Sequence, residues 1–181
     1  MSLPYEKYLQ EILIDSDTLQ ARIRELGQQI SDEYADKQDL LLICVLKGGV
    51  MFLTDLMRHI TTPHSIDFMA ISSYGSGARE SSGRVRIDMD LTHDIAGTHV
   101  IIVEDIIDSG HTMQYIVSLL ATRKPASIKI CSLLSKPSRR EVEVGIDYLG
   151  FEIPNKFVFG YGLDLDEKFR NLPFIGVCKP T

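Results

Sequence analysis

The chain has 181 residues, 44% hydrophobic and 24% charged, with 19 Lys and Arg against 25 Asp and Glu for a net charge of −6. A chain of this length reads as one domain, residues 1–181, with a sizeable core, and its composition excludes a disordered or a membrane protein. The acidic balance excludes a non-specific nucleic-acid binder, whose affinity comes from cations facing phosphates, so a phosphorylated ligand must be held locally. Residues 1–17 carry Glu6, Lys7, Glu11 and Asp15 and no signal-type apolar stretch. The longest aliphatic run, 40–46, is too short to span a bilayer. Cys44, Cys131 and Cys178 are far apart and form no CxxC pair, which argues against a disulfide scaffold or zinc knuckle. A cytoplasmic protein is expected, with Cys44 and Cys131 as core residues.

Asp17 followed by Gln20 resembles a capping pair, and Leu19, Ile23, Leu26 and Ile30 mark an amphipathic helix to about residue 34. Residues 40–45 are continuously apolar, as in a strand buried on both faces, and end at Lys47-Gly48-Gly49. Helical spacing follows over 50–60. Strands are predicted over 66–72 and 85–89, flanking a loop with three glycines and three serines, residues 74–83. A second strand–turn–helix–strand phrase then repeats the first: strand 99–103, polar turn 105–112, helix 113–123, strand 128–134. Two such phrases predict a doubly wound, mostly parallel α/β sheet flanked by helices. Ligands of such sheets bind beyond the carboxyl ends of the strands, where the turns after Val45 and Val103 lie.

No P-loop, GxGxxG, HExxH or GxSxG pattern occurs. The scattered His59, His64, His93 and His99 read as ordinary residues, and the basic patch 136–140 as a solvated turn. The informative segment is Val103-Glu104-Asp105-Ile106-Ile107-Asp108-Ser109-Gly110-His111-Thr112. Carboxylates concentrated at a strand end need cations or hydroxyl donors. The small, hydroxylated turn after them opens a helix, whose free N–H groups and partial positive charge seat a phosphate. A ribose phosphate satisfies both halves.

This segment resembles the phosphoribosyl-pyrophosphate motif of type I phosphoribosyltransferases, and the fuller match is to the bacterial hypoxanthine-guanine phosphoribosyltransferases. Lys47-Gly48-Gly49, Ser72-Ser73-Tyr74, Leu134-Ser135-Lys136, the segment 151–164 (FEIPNKFVFGYGLD) and 167–173 (EKFRNLP) fall in that family's order. The resemblance implies purine salvage: transfer of a phosphoribosyl group from phosphoribosyl pyrophosphate to hypoxanthine or guanine, with Mg²⁺ as cofactor. It implies a small hood built from the N- and C-terminal parts, and a homo-oligomer, dimer or tetramer, that binds neither nucleic acid nor membrane. By the same resemblance Ser109, Gly110, His111 and Thr112 hold the sugar's phosphate, and Glu104 and Asp105 meet the ribose hydroxyls directly or through the metal. Asp164 is a further metal position. Lys47, Gly48 and Arg170 meet the pyrophosphate, with a cis bond between Leu46 and Lys47. Lys136, Phe157, Val158 and Leu163 meet the base, and Asp108 accepts a proton from it. Ser73 and Tyr74 root a lid over about 74–83. Two other readings carry other expectations: a xanthine-preferring enzyme, and a non-catalytic, ligand-sensing RNA-binding regulator, which would show a basic face and lack an essential acid.

Overall fold

The buried run after residue 39 becomes the second strand of the chain, at the middle of a six-stranded sheet. The computed structural model describes residues 3–73 and 85–180, and the expected lid, 74–83 with Tyr74, lies outside them. In chain order the elements are β1 (Leu9–Ile14), α1 (Ser16–Glu33), β2 (Leu40–Leu46), α2 (Val50–Met57), β3 (His64–Ser73), β4 (Val85–Met89), β5 (His99–Ile107), α3 (His111–Ala121), β6 (Ser127–Ser135), a 3₁₀ turn (Pro137–Arg139), β7 (Tyr148–Glu152), β8 (Val158–Phe159) and β9 (Ile175–Cys178). The large sheet has the order β4-β3-β2-β5-β6-β7, parallel except for β4. A second, antiparallel sheet, β1-β9-β8, joins the N- and C-terminal parts.

Side-chain alternation along the central strands explains why they are apolar throughout. Leu40, Leu42, Cys44, Ile101 and Val103 face one core, with Leu19, Ile23, Leu26 and Ile30 of α1 and Phe52, Leu53 and Leu56 of α2. Leu41, Ile43, Val45, Val100 and Ile102 face the other, against Met113, Ile116 and Leu120 of α3. The predicted stripe on α1 is therefore real, and its residues are fully buried. Its cap is not the predicted one. The chain leaves β1 at Ile14, so Asp15, two residues earlier than expected, accepts from Thr18 N at 2.8 Å, and Asp17 lies in the first turn.

Two boundaries shift in the informative segment. Glu104, Ile106 and Ile107 pair in register with Ser132, Leu134 and Ser135 of β6, so ladder hydrogen bonding carries β5 four residues beyond Val103 despite the two acids. Helix α3 starts at His111 rather than at residue 113, because Gly110 turns the chain at φ 94°, a left-handed angle that favours glycine. The basic patch is not simply a solvated turn, because Lys136 is only 8% exposed. Nor is His93 idle: it shares the buried Asp67 carboxylate (2.9 Å) with donors from Phe68 and Thr92. Burial works to raise the Asp67 pKa, but these hydrogen bonds prevail and hold it at about 2. Cys44 and Cys131 are buried and free, as expected, and burial pushes the Cys44 thiol up to about 12.

Candidate active site

Strands β2 and β5 are adjacent and parallel, and the chain leaves them in opposite directions across the sheet, towards β3 and towards β6. Such a switch point opens a crevice beyond the carboxyl ends of the strands. Here that crevice is a cavity of about 250 Å³ lined by Glu104, Asp105, Asp108, Ser109, Gly110 and Thr112, among others. His111 does not line it; its Nε2 lies 3.0 Å from Glu141 Oε2 on the outside. The Ser109 carbonyl accepts from both Glu141 N and Val142 N at 3.0 Å, which pins the segment after the 3₁₀ turn across the back of the turn 109–112. A Cβ at Gly110 would lie 2.4 Å from Val142 O, so this position has neither the angle nor the room for a side chain.

Across the crevice, β2 delivers Lys47 and Gly48 after a Leu46–Lys47 bond that is cis, as the resemblance implied. Gly48 abuts the acidic pair: a Cβ there would lie 1.5 Å from Asp105 Oδ2. Arg170 closes the same side. Its Nη1 donates to Gly162 O at 2.8 Å, and its Nη2 lies 2.8 Å from Asp164 Oδ1 and 3.2 Å from Glu167 Oε2. Asp164 Oδ2 accepts from Glu167 N at 2.8 Å.

On the third side, Lys136 N donates to Ile107 O at 3.0 Å, which sets this residue beside the end of β5. Burial pushes the Lys136 ammonium below its usual pKa, with Asp108 opposing and Arg139 adding to the effect. Arg139 Nε lies 3.4 Å from Asp108 Oδ1. Phe157 is 61% exposed, a bare aromatic face at the start of β8, while the Val158 side chain is buried in the core. Leu163 is buried too, and its N–H and C=O both pair with Gly160, which leaves it no free hydrogen-bond donor. Ser73 ends β3. Sequence reasoning identifies neither Arg139 nor Glu167 as part of the site. Arg139 sits in the basic patch that read as solvated, and Glu167 sits in the segment 167–173 without a role.

Glu104 and Asp105 are both partly buried, and Glu104 Oε2 is enclosed without a hydrogen-bond partner. Burial, and then the charge of Asp105, holds the Glu104 carboxyl well above its usual range. Burial raises Asp105 as well, with the Ile106 N–H and Arg170 pulling the other way. An orphaned carboxylate oxygen beside a second carboxylate fits a small hard cation that takes one or two carboxylates and completes its shell with substrate oxygens and water. Among the described residues no three His, Cys, Asp or Glu side chains cluster to form an all-protein metal cage.

The raised values have a consequence for stability. A folded state that holds protons more tightly than the unfolded chain is favoured at low pH, and it loses that advantage as pH rises through the raised pKa values. Glu104→Gln keeps the shape and removes the charge. It is expected to raise the Tm of the ligand-free protein at pH 7.5 by about 2–4 °C, the equivalent of about 1 kcal/mol for a chain of this size. It should also flatten the decline of Tm above pH 5. Melting curves across pH check this; superimposable curves for both proteins would refute it.

The model of the phosphoribosyl transferase domain family matches residues 11–166. A hypoxanthine-guanine phosphoribosyltransferase of Mycobacterium avium is 51% identical, over 98% of this chain and 91% of that protein. A hypoxanthine phosphoribosyltransferase of Salmonella typhimurium is 47% identical, over 94% of this chain and 96% of that protein. The crystal structure of a hypoxanthine phosphoribosyltransferase from Staphylococcus aureus superposes with a TM-score of 0.94 at 43% identity, covering 99% of this chain and 97% of the other.

Proposed function

The chain belongs to the phosphoribosyltransferase family, and on that premise we propose that it joins hypoxanthine or guanine to the phosphoribosyl group of phosphoribosyl pyrophosphate, releasing pyrophosphate, in purine salvage. One juxtaposition carries this function: a partly buried carboxylate pair and a helix-opening phosphate turn line a single crevice, faced by Lys47 and Gly48. A sugar bearing neighbouring hydroxyls and a phosphate satisfies both halves at once.

The barrier lies in building positive charge on the sugar ring while pyrophosphate departs with negative charge. The N–H groups and hydroxyls of residues 109–112 hold the 5-phosphate and fix the ring. Glu104 and Asp105 take the ribose hydroxyls, directly or through the metal; the same pair would hold Mg²⁺, and Asp164 would be a further metal position. When bound, Mg²⁺ would supply charge neutralisation for the departing pyrophosphate. Gly48 has no side chain, so the loop N–H groups can approach that pyrophosphate closely, and Arg170 presents a fork suited to two phosphate oxygens. On the base side, Phe157 offers a face for stacking, main-chain groups at Val158 receive the purine edge, and Lys136 donates to the six-oxo oxygen. Asp108 accepts the proton released from the ring nitrogen. Preorganised charges of this kind supply most of the rate where water is excluded. With this function go a cytoplasmic location and a homo-oligomeric assembly.

The test is a parallel assay with phosphoribosyl pyrophosphate, Mg²⁺ and hypoxanthine, guanine, xanthine, adenine or uracil. Nucleotide formation with hypoxanthine or guanine is expected. Turnover confined to xanthine, adenine or uracil, or none with any base, would overturn the assignment.

A further inference from the structure

Beyond Asp164 the chain makes a hairpin turn closed by reciprocal Leu165–Lys168 hydrogen bonds of 3.0 and 3.1 Å. Its two tip residues, Asp166 and Glu167, both have positive φ, 51° and 62°. A two-residue turn of this shape favours Asn, Asp or Gly at its centre, and glutamate is a poor choice there. The unfavourable residue nevertheless puts its carboxylate in one particular place. Glu167 Oε2 lies 2.9 Å from Lys47 Nζ and 3.2 Å from Arg170 Nη2, so a single anionic oxygen bridges the two cations assigned above to the pyrophosphate. Lys47, and then Arg170, lowers the Glu167 pKa, as expected for a carboxylate held between positive groups. Glu167 and Lys47 are both about two-thirds exposed, and ion pairs so exposed add little to stability. The hairpin turn sets the backbone angle, but fold stability does not explain why a glutamate occupies it.

We propose that Glu167 is a tethered substitute for pyrophosphate. In the ligand-free enzyme its carboxylate occupies the Lys47–Arg170 seat. The pyrophosphate group, with its greater charge, displaces it on binding, and the carboxylate returns as pyrophosphate leaves. Glu167 is thus a positioning residue that keeps the two cations oriented and holds pyrophosphate affinity down, so that the product does not linger. This rests on the function proposed above. A tethered ligand competes at a fixed effective concentration, so its removal tightens binding of the free competitor without any new contact.

Calorimetric titration of Mg²⁺-pyrophosphate into the wild-type enzyme and Glu167→Gln tests it. The Kd for pyrophosphate should fall by about 2- to 5-fold in the variant, the worth of one exposed bridged ion pair. The KM for phosphoribosyl pyrophosphate should fall with it, while the KM for the base and the Kd for the nucleoside monophosphate hold. Glu167→Asn suits the left-handed position better and should give the same tightening with an unchanged or higher Tm, so a folding defect in one variant cannot mimic the result. Unchanged or weaker pyrophosphate binding in both variants would overturn the inference while leaving the proposed function intact. A wild-type enzyme that fails to bind Mg²⁺-pyrophosphate at all would overturn both.

Discussion

Asp108→Asn should lower kcat by about 10²–10⁴-fold, the usual contribution of a general base, with little change in Tm or in the KM for phosphoribosyl pyrophosphate. Asp108 is the first residue beyond β5, at the edge of the crevice and next to the phosphate turn. Its side chain is 46% exposed, and its ion pair with Arg139 is long at 3.4 Å, so the fold depends little on its charge. Asparagine fills the same space and keeps a carbonyl acceptor, but it cannot take a proton at neutral pH. The neighbouring N–H groups proposed to hold the phosphate are untouched, which predicts a loss in kcat rather than in sugar binding. Steady-state kinetics beside a thermal melt check this, and near-normal turnover would remove Asp108 from the mechanism.

Lys136→Met carries the second large effect, on the choice of base. If Lys136 donates to the six-oxo oxygen as proposed, wild-type kcat/KM for hypoxanthine should exceed that for adenine by about 10⁴-fold or more, because an amino group would leave that buried donor unpaired. Lys136 is 8% exposed, and burial lowers the pKa of its ammonium from the usual value. It is also anchored through its own N–H to Ile107 O. Methionine fills a similar volume without a donor, so the fold should survive or gain. Activity with hypoxanthine should fall by about 10²-fold, the worth of one hydrogen bond to a charged group, and the adenine penalty should shrink by at least as much. Competition assays with both bases measure the ratio; an unchanged ratio would show that selectivity lies elsewhere.

Both effects concern residues legible in the linear sequence, and the reason is local. Asp108, the hydroxylated turn and the acids before it are contiguous, and one strand end delivers them together. The resemblance then named their chemistry. Other features needed the fold. That β5 runs on through Glu104 and Asp105 follows from its pairing with Ser132, Leu134 and Ser135, partners about 28 residues away that local polarity does not announce. The short strands β1, β8 and β9 gain their hydrogen bonds from one another, and two-residue β8 has no periodicity of its own to read. Arg139 read as solvated until the 3₁₀ turn set it beside Asp108, and although Arg170 lies only three residues from Glu167, the second cation of its bridge, Lys47, lies 120 residues away.

The order of apolar runs, the small turn residues and the acidic strand end by themselves determined a mostly parallel α/β sheet with acids and a hydroxylated, helix-opening turn at its carboxyl edge. Side-chain period, helix initiation and backbone freedom are properties of neighbouring residues, so they can be read locally. Only the tertiary structure decided which groups face each other: the Gly48 backbone against Asp105, Arg139 against Asp108, Glu167 between Lys47 and Arg170. Electrostatic energy depends on distance in space and on how far water is excluded, and a list of residues contains neither until the strands have chosen their neighbours.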